Sequence, residues 1–461
     1  MELAAILDAH AVDGAATRRA NLTKPALFGF SLGMIGDRIF RDAPALLLLL
    51  YMTDYLAIPP ALAGAAIFIP KLLIIFVDPF VGTFSDRLNT RWGRRRPLML
   101  VGAILASISI LLFFHVPHLG NAVAQAAYMS ALVFVGFAGY SLFSVPYLVM
   151  ASEIAASDEE RRKMMSWRVA FMAVGLSVSA FAGGFIEALG GGISGYSAMS
   201  LVYAAICLIT MLATVIATAT VPVTEGTRDA PGFLSQIEML ISSRRYLRLL
   251  LVGFLQKLSE GIGYGSFAYF CIYVVHQPLS GIGLVVLAAT IGQVVTQPLW
   301  LRASKRWAPA TLYTIGMLCW CANILLWLVM AGRSEWWLIP LGLQGGAACG
   351  GFLMVTLAML ANVMAADVSE TGINREGVFS GFWLASEKLA FALGALIVGV
   401  GLGLFGFVES DAGAKVAQVP TAILGITIVY CGINTLICLV SILAMRRFAR
   451  LDRMPVQAVA S

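Results

Sequence analysis

Asp78 ends an otherwise hydrocarbon-soluble run and is followed by Pro79-Phe-Val-Gly82, then by a turn from Asp86 to Pro97 with arginines at 87, 91, 94, 95 and 96. An ionisable side chain at mid-bilayer costs about 2.5 to 3.5 kcal/mol, so each needs a partner or a wet cavity. Comparable residues recur in other apolar runs: Asp37, Arg38, Arg41 and Asp42; Lys71; Ser141, Ser144 and Glu153; Arg168; Lys257 and Glu260; Trp383, Glu387 and Lys388. Asp37/Arg41 and Arg38/Asp42 are each spaced to close across one helical turn, as self-neutralising pairs or as the polar wall of a cavity. Lys71 and Asp78 share a helix face, roughly 10 Å apart along the axis, with Ile74 between them. Charges on this many helices cannot all face lipid, so they imply a hydrated interior in which a proton, a cation or a polar solute is bound and released. A catalytic centre is not indicated, because His10, His115, His118 and His276 fall in the tail or at the edges of the runs. No metal site, cofactor or enzymatic activity is expected.

The elements that must position these residues are membrane spans. Hydrophobic residues make up 59% of 461, charged residues 12%, and mean hydropathy is +0.86, which excludes a soluble domain of this length. Runs of about 20 apolar residues, enough to cross a bilayer, fall near 26–53, 61–84, 97–116, 121–154, 165–190, 197–222, 245–275, 279–302, 310–331, 335–363, 378–407 and 419–446. Loops 54–60, 117–120, 190–196 and 276–278 carry no Lys or Arg, and the other two on that side carry only Arg333 and Lys415. The opposite loops are basic, which predicts both termini in the cytoplasm of a multi-pass protein of the cytoplasmic (inner) membrane. The net charge of +6 therefore reads as orientation and not as a nucleic-acid partner. No cleavable signal is expected before Lys24. The seven cysteines lie in apolar runs and read as small buried hydrophobes.

The expected organisation is a cytoplasmic tail 1–25, a six-helix bundle 26–222, a linker 223–244 containing Pro231-Gly232, a second six-helix bundle 245–446, and a tail 447–461. Asp78-Pro-Phe-Val before Arg91-Trp92 is echoed by Gln297-Pro-Leu-Trp before Arg306-Trp307 at the matching place in the second half. This suggests a duplicated all-α transporter with its site between the halves.

Asp78-Pro-Phe-Val-Gly with Arg91-Trp-Gly-Arg-Arg-Arg-Pro97 resembles the span-two signature of the glycoside-pentoside-hexuronide:cation symporters, the melibiose permease-like branch of the major facilitator superfamily. Similar stretches follow in order: Val145-Pro-Tyr147, Glu153, Glu160-Arg161 and Ser166-Trp-Arg168; Ala366-Asp367, Thr371-Gly and Arg375-Glu-Gly377; Gly381-Phe-Trp383 to Glu387-Lys388. The resemblance implies a major facilitator fold of twelve helices around a central cavity, and cation-coupled symport of a sugar, glycoside or uronide by alternating access. It makes Asp78 the cation-site carboxylate with Lys388 beside it, Ser141 a cation-site hydroxyl, and Arg168 a sugar-site and gating arginine. The chain departs from that pattern at Ile74, where sodium-coupled members carry a second aspartate, and at Ser144 and Leu148, where sugar-site aspartate and tryptophan are expected. Arg38, not Asp37, falls at the span-one sugar aspartate.

Sodium is best held by several oxygen ligands, whereas a proton needs one tunable carboxylate. Proton coupling through Asp78, with Lys388 or Lys71 as counter-ion, is therefore the leading expectation; sodium coupling and uncoupled transport are the alternatives. The substrate surface is expected from Asp37, Arg38, Ser144, Arg168, Lys257, Trp383 and Lys388. Its basic balance favours an anionic solute such as a uronide, with another organic anion or a lysolipid as alternatives. A cytoplasmic gate is expected from Arg91, Arg94, Arg95, Glu153 and Asp367, and the protein is expected to be a monomer in the lipid bilayer.

Overall fold

The computed structural model describes residues 24–451 except 89, 91, 155–157, 220–237, 239, 240, 242, 331–334, 372–375, 412, 414 and 415. The expected linker lies almost wholly outside these residues, as do Arg91, Arg333, Lys415 and nearly all of both tails; the side chain of Glu153 is likewise outside them.

The chain forms α1 (Lys24–Asp54), α2 (Pro60–Arg87), α3 (Arg96–Phe113), α4 (Ala122–Ile154), α5 (Asp158–Ala180), α6 (Ala182–Ala188), α7 (Gly192–Ala217), α8 (Arg244–Tyr269), α9 (Leu279–Ser304), α10 (Pro309–Leu326), α11 (Leu338–Thr371), α12 (Glu376–Leu404), α13 (Pro420–Thr427) and α14 (Asn434–Leu451). Proline opens α2, α3, α10 and α13 in the first turn, where its missing N–H costs nothing and its fixed φ suits a helix. α5 and α6 form one crossing bent by 43°. A six-residue π segment, Phe270–Val275, extends α8, and another, Ile428–Ile433, joins α13 to α14 into one crossing. Nine described helices are long and apolar enough to cross a membrane, ten with the bent pair. The remaining two crossings, α1 and α8, are too polar for that test because they carry the charged clusters, and they complete the twelve.

Packing repeats itself between the halves. In the first, α1 packs on α5 and α7, α2 on α4, and α3 on α4 and α7; in the second, α8 packs on α12 and α14, α9 on α11, and α10 on α11 and α14. Shifting each crossing by six turns one set into the other. The bundles meet through α2 with α12, α5 and α6 with α9, and α1 with α8, a layout with two-fold symmetry of its own.

Two glycines set how close α2 and α12 come at the Arg/Lys-poor end. A Cβ on Gly399 would lie 2.3 Å from the Pro60 carbonyl oxygen, and one on Gly64 2.9 Å from that of Ala395. Small residues let backbones touch in this way. Gly399→Leu is expected to part the helices here and to raise severalfold the labelling rate of a cysteine placed at Ala395; an unchanged rate would show that the contact yields without opening.

Candidate functional site

α1 brings its charges to the centre of the first bundle, where one of the two expected pairs, Arg38/Asp42, forms and the other does not. Asp42, 1% exposed, takes both arginines: Arg41 Nε donates to Oδ1 at 3.1 Å, and Arg38 Nη1 lies 3.5 Å from Oδ2. Asp37 accepts instead from the Tyr140 hydroxyl of α4 at 2.8 Å. The expected Asp37/Arg41 pair is thus replaced, because a buried phenol reaches Asp37 while Asp42 offers both its oxygens to the arginines. Tyr140 gave no signal of its own in the sequence, being one of several aromatics in an apolar run.

Arg38 Nη2 also contacts the Met172 sulfur at 2.6 Å. Arg168, on the same helix as Met172, is held largely by soft contacts, with the Tyr147 hydroxyl and the Asp37 carboxylate close enough to act on it. Its guanidinium lies 4.9 Å from the Tyr147 ring centroid and 5.9 Å from that of Phe30, with Met34 and Met165 sulfurs at 3.6 and 3.8 Å. Arg168 Nε has no hydrogen-bond partner, and no carboxylate pairs with this group among the described residues. Lys71 is similar: its ammonium sits 4.6 Å above the Phe137 ring, not on Asp78.

Asp78 meets Lys388 across the bundle interface, the lysine Nζ donating to Asp78 Oδ2. The pair is part-buried, at 20% exposure for the Asp78 side chain and 37% for Lys388. The second carboxylate oxygen, Oδ1, is buried without a partner. Gly82 of α2 faces Val145 of α4, 3.8 Å from where its Cβ would lie. These helices run parallel, so one turn back along both, Ser141 comes level with Asp78; its hydroxyl is buried and unpartnered. Ser144 is half-buried on the following turn. Ile74 is 3% exposed and extends an apolar, not an acidic, surface toward Asp78.

In the second bundle Lys257 Nζ bonds Glu260 Oε2 at 2.8 Å, and Glu387 lies close enough to act on the same ammonium. Arg41 acts on Lys257 from across the interface. Trp383 is 4% exposed, its indole N–H donates to Glu387 Oε1 at 3.0 Å, and its ring covers Gly253 so tightly that a Cβ there would lie 2.3 Å from it. A ring in this position orients Glu387 and offers no open face for a pyranose to stack on.

Two of the loop arginines join elements of the first bundle. Arg95, 5% exposed, donates to Ser85 Oγ at 3.2 Å; Arg96 donates to the Trp92 carbonyl at 3.1 Å and to the Thr218 carbonyl. They tie the ends of α2 and α7 to the start of α3. Arg94 is half-buried, and Asp367 is buried near the end of α11. Nearby, Arg245 bridges Glu370 at 2.7 Å, joining α8 to α11.

The family model described as MFS/sugar transport protein matches residues 29–453, nearly the whole chain. The chain belongs to that family. This transporter is 25% identical to the glucuronide carrier protein homolog of Escherichia coli (strain K12), over 88% of its own length and 89% of the relative. It is 24% identical to the uncharacterized symporter sll1374 of Synechocystis sp., over 86% and 88%. Its fold matches a bacterial homologue of the human lysosomal transporter Spinster, solved inward-facing and unoccupied, with TM-score 0.65 and 14% identity over 94% of this chain and 100% of that one. As a multi-pass membrane transporter it is not an enzyme, and it acts on a small-molecule substrate.

The transporter also carries an apolar groove lined by Ala173, Val174, Ser177 and Val178 of α5 and by Phe181, Phe185 and Ala188 at the bend. At 100° per residue the α5 part faces away from Arg168.

Proposed function

We propose that this transporter is a proton-coupled symporter of an acidic glycoside or uronide, working by alternating access. One observation carries the coupling: a carboxylate and an ammonium from different bundles, Asp78 and Lys388, meet at the interface, and the carboxylate keeps one oxygen free. The ammonium takes the place a bound cation would occupy. When a proton loads on Asp78, Lys388 is released, and the interaction between α2 and α12 changes with it. A sodium ion would have to displace that ammonium and find further oxygens where Ile74 stands, a poor exchange for a hard cation.

Arg168 and Lys71 supply the substrate reading. Both are cations in the spans that no carboxylate bridges among the described residues, and around the interface the bases Arg38, Arg41, Lys71, Arg168, Lys257 and Lys388 outnumber the acids Asp37, Asp42, Asp78, Glu260 and Glu387. A solute with one carboxylate would restore the balance, and a guanidinium binds a carboxylate through two parallel hydrogen bonds. The likeness to a glucuronide carrier homolog supports the same class. On the positive-inside expectation, the Arg/Lys-poor end faces outward from the cytoplasmic membrane, and one chain suffices for transport.

The test is uptake of labelled glucuronides into cells or proteoliposomes in sodium-free buffer, with and without a protonophore. Uptake is expected to survive sodium removal and to lose accumulation with the protonophore. Accumulation that needs sodium would transfer the coupling to that ion, and indifference to both treatments would make the protein a facilitator.

A further inference from the structure

A second carboxylate lies at the interface, some distance from the site above. Asp54 is the last residue of α1, at the Arg/Lys-poor end just beyond the apolar run 26–53, and is 9% exposed. Its Oδ2 accepts from the Tyr273 hydroxyl at 2.6 Å and its Oδ1 from Thr53 Oγ1 at 2.9 Å, while Thr53 Oγ1 and the Tyr269 hydroxyl lie 2.8 Å apart. Tyr269 and Tyr273 belong to the other bundle. Around this core the second bundle adds Ser410 Oγ and Gly413 N, both donating to the Asp54 carbonyl, and Ser410 N donating to that of Thr53. The other groups that face Asp54 are also uncharged phenols, Tyr55 and Tyr196, with the exposed pair His118–Asp411, 3.6 Å apart, at the rim. Among the described residues no cation pairs with Asp54.

We propose that Asp54 is a second proton-binding site, which latches the two bundles together at the Arg/Lys-poor end when it holds a proton and loosens them when ionised. A carboxylate buried among hydroxyls has traded water for at most a few hydrogen bonds, and the ionised form bears most of that loss. Burial pushes its pKa up to about 6, against the pull of the Tyr273 and Thr53 hydroxyls. Once the bundles part, water reaches the group and its pKa returns toward the ordinary value of 3.8. The sign follows from linkage: the closed form binds the proton more tightly, so its advantage is full below the ordinary value and is lost as pH rises through about 6. From pH about 5 to pH about 7.5 the closed-to-open ratio falls roughly tenfold.

The latch is independent of Asp78, Lys388 and the identity of the substrate, so it can be tested without any of them. Spin labels on Val123→Cys and Thr421→Cys, one per bundle, report the separation at this end, with the half-buried Cys319 and Cys349 replaced by serine. All the proteins compared carry Asp78→Asn, so that coupling carboxylate does not contribute. With Asp54 present and no substrate, the distribution is expected to move toward longer distances as pH rises over that interval. Asp54→Asn, neutral at every pH and nearly the same shape, is expected to stay short throughout, and His118→Gln to respond like the form with Asp54 and His118 intact. A pH-invariant distribution with Asp54 present, or a response that persists in Asp54→Asn, would overturn the assignment.

Discussion

Asp78→Asn is expected to abolish accumulation while leaving exchange of substrate across the membrane. The amide keeps the size of the side chain and can still accept from Lys388, so the bundles should continue to close. It cannot take up and give back a proton, so the pH gradient no longer contributes. With one proton per substrate, each unit of pH difference supports about tenfold accumulation, or about 1.4 kcal/mol. With no membrane potential the variant should therefore equilibrate at the outside concentration whatever pH gradient is imposed. Counterflow of labelled against unlabelled substrate, compared with net uptake in the same vesicles, separates the two activities. Concentrative uptake by Asp78→Asn would remove this carboxylate from the coupling step.

Lys388→Ala should do broader damage, reducing both uptake and exchange. It strands the Asp78 carboxylate against α12 with neither oxygen paired. Removing one partner of a fully buried ion pair costs about 3 to 5 kcal/mol; Lys388 is 37% exposed, so here a loss on the order of 1 to 2 kcal/mol is expected. The double variant Asp78→Asn/Lys388→Ala removes the stranded charge. It should recover most of the thermal stability lost by Lys388→Ala but none of the accumulation. If the double variant is no more stable than Lys388→Ala, the pair is not what joins α2 to α12.

Much of this was legible in the sequence for a physical reason: in a bilayer a charge is expensive enough to be noticed. Twelve apolar runs and the ionisable residues within them could be read directly, and so could Asp78 and Lys388 as partners once the resemblance was stated. Of the two pairs that spacing suggests in α1, Arg38/Asp42 forms and the other does not. Asp37 and Arg41 have ideal spacing, yet a phenol more than a hundred residues away claims Asp37. Trp383 is expected on the substrate surface, yet its ring packs against Gly253. The cluster at Asp54 was missed because its other members are hydroxyls, common and unremarkable one by one. Only the meeting of α1 with the end of α8 assembles them.

The two π segments have a mechanical consequence. Both belong to the second bundle, and they touch, with the Phe270 and Tyr430 rings stacked 4.5 Å apart. A π turn accommodates a residue more than an α turn, with hydrogen bonds one residue longer, and is frequent at functional sites. The first bundle is pinned at its opposite end by Arg95 and Arg96. Compliance at the Arg/Lys-poor end is therefore concentrated in the second bundle, and that mouth should open chiefly by its deflection.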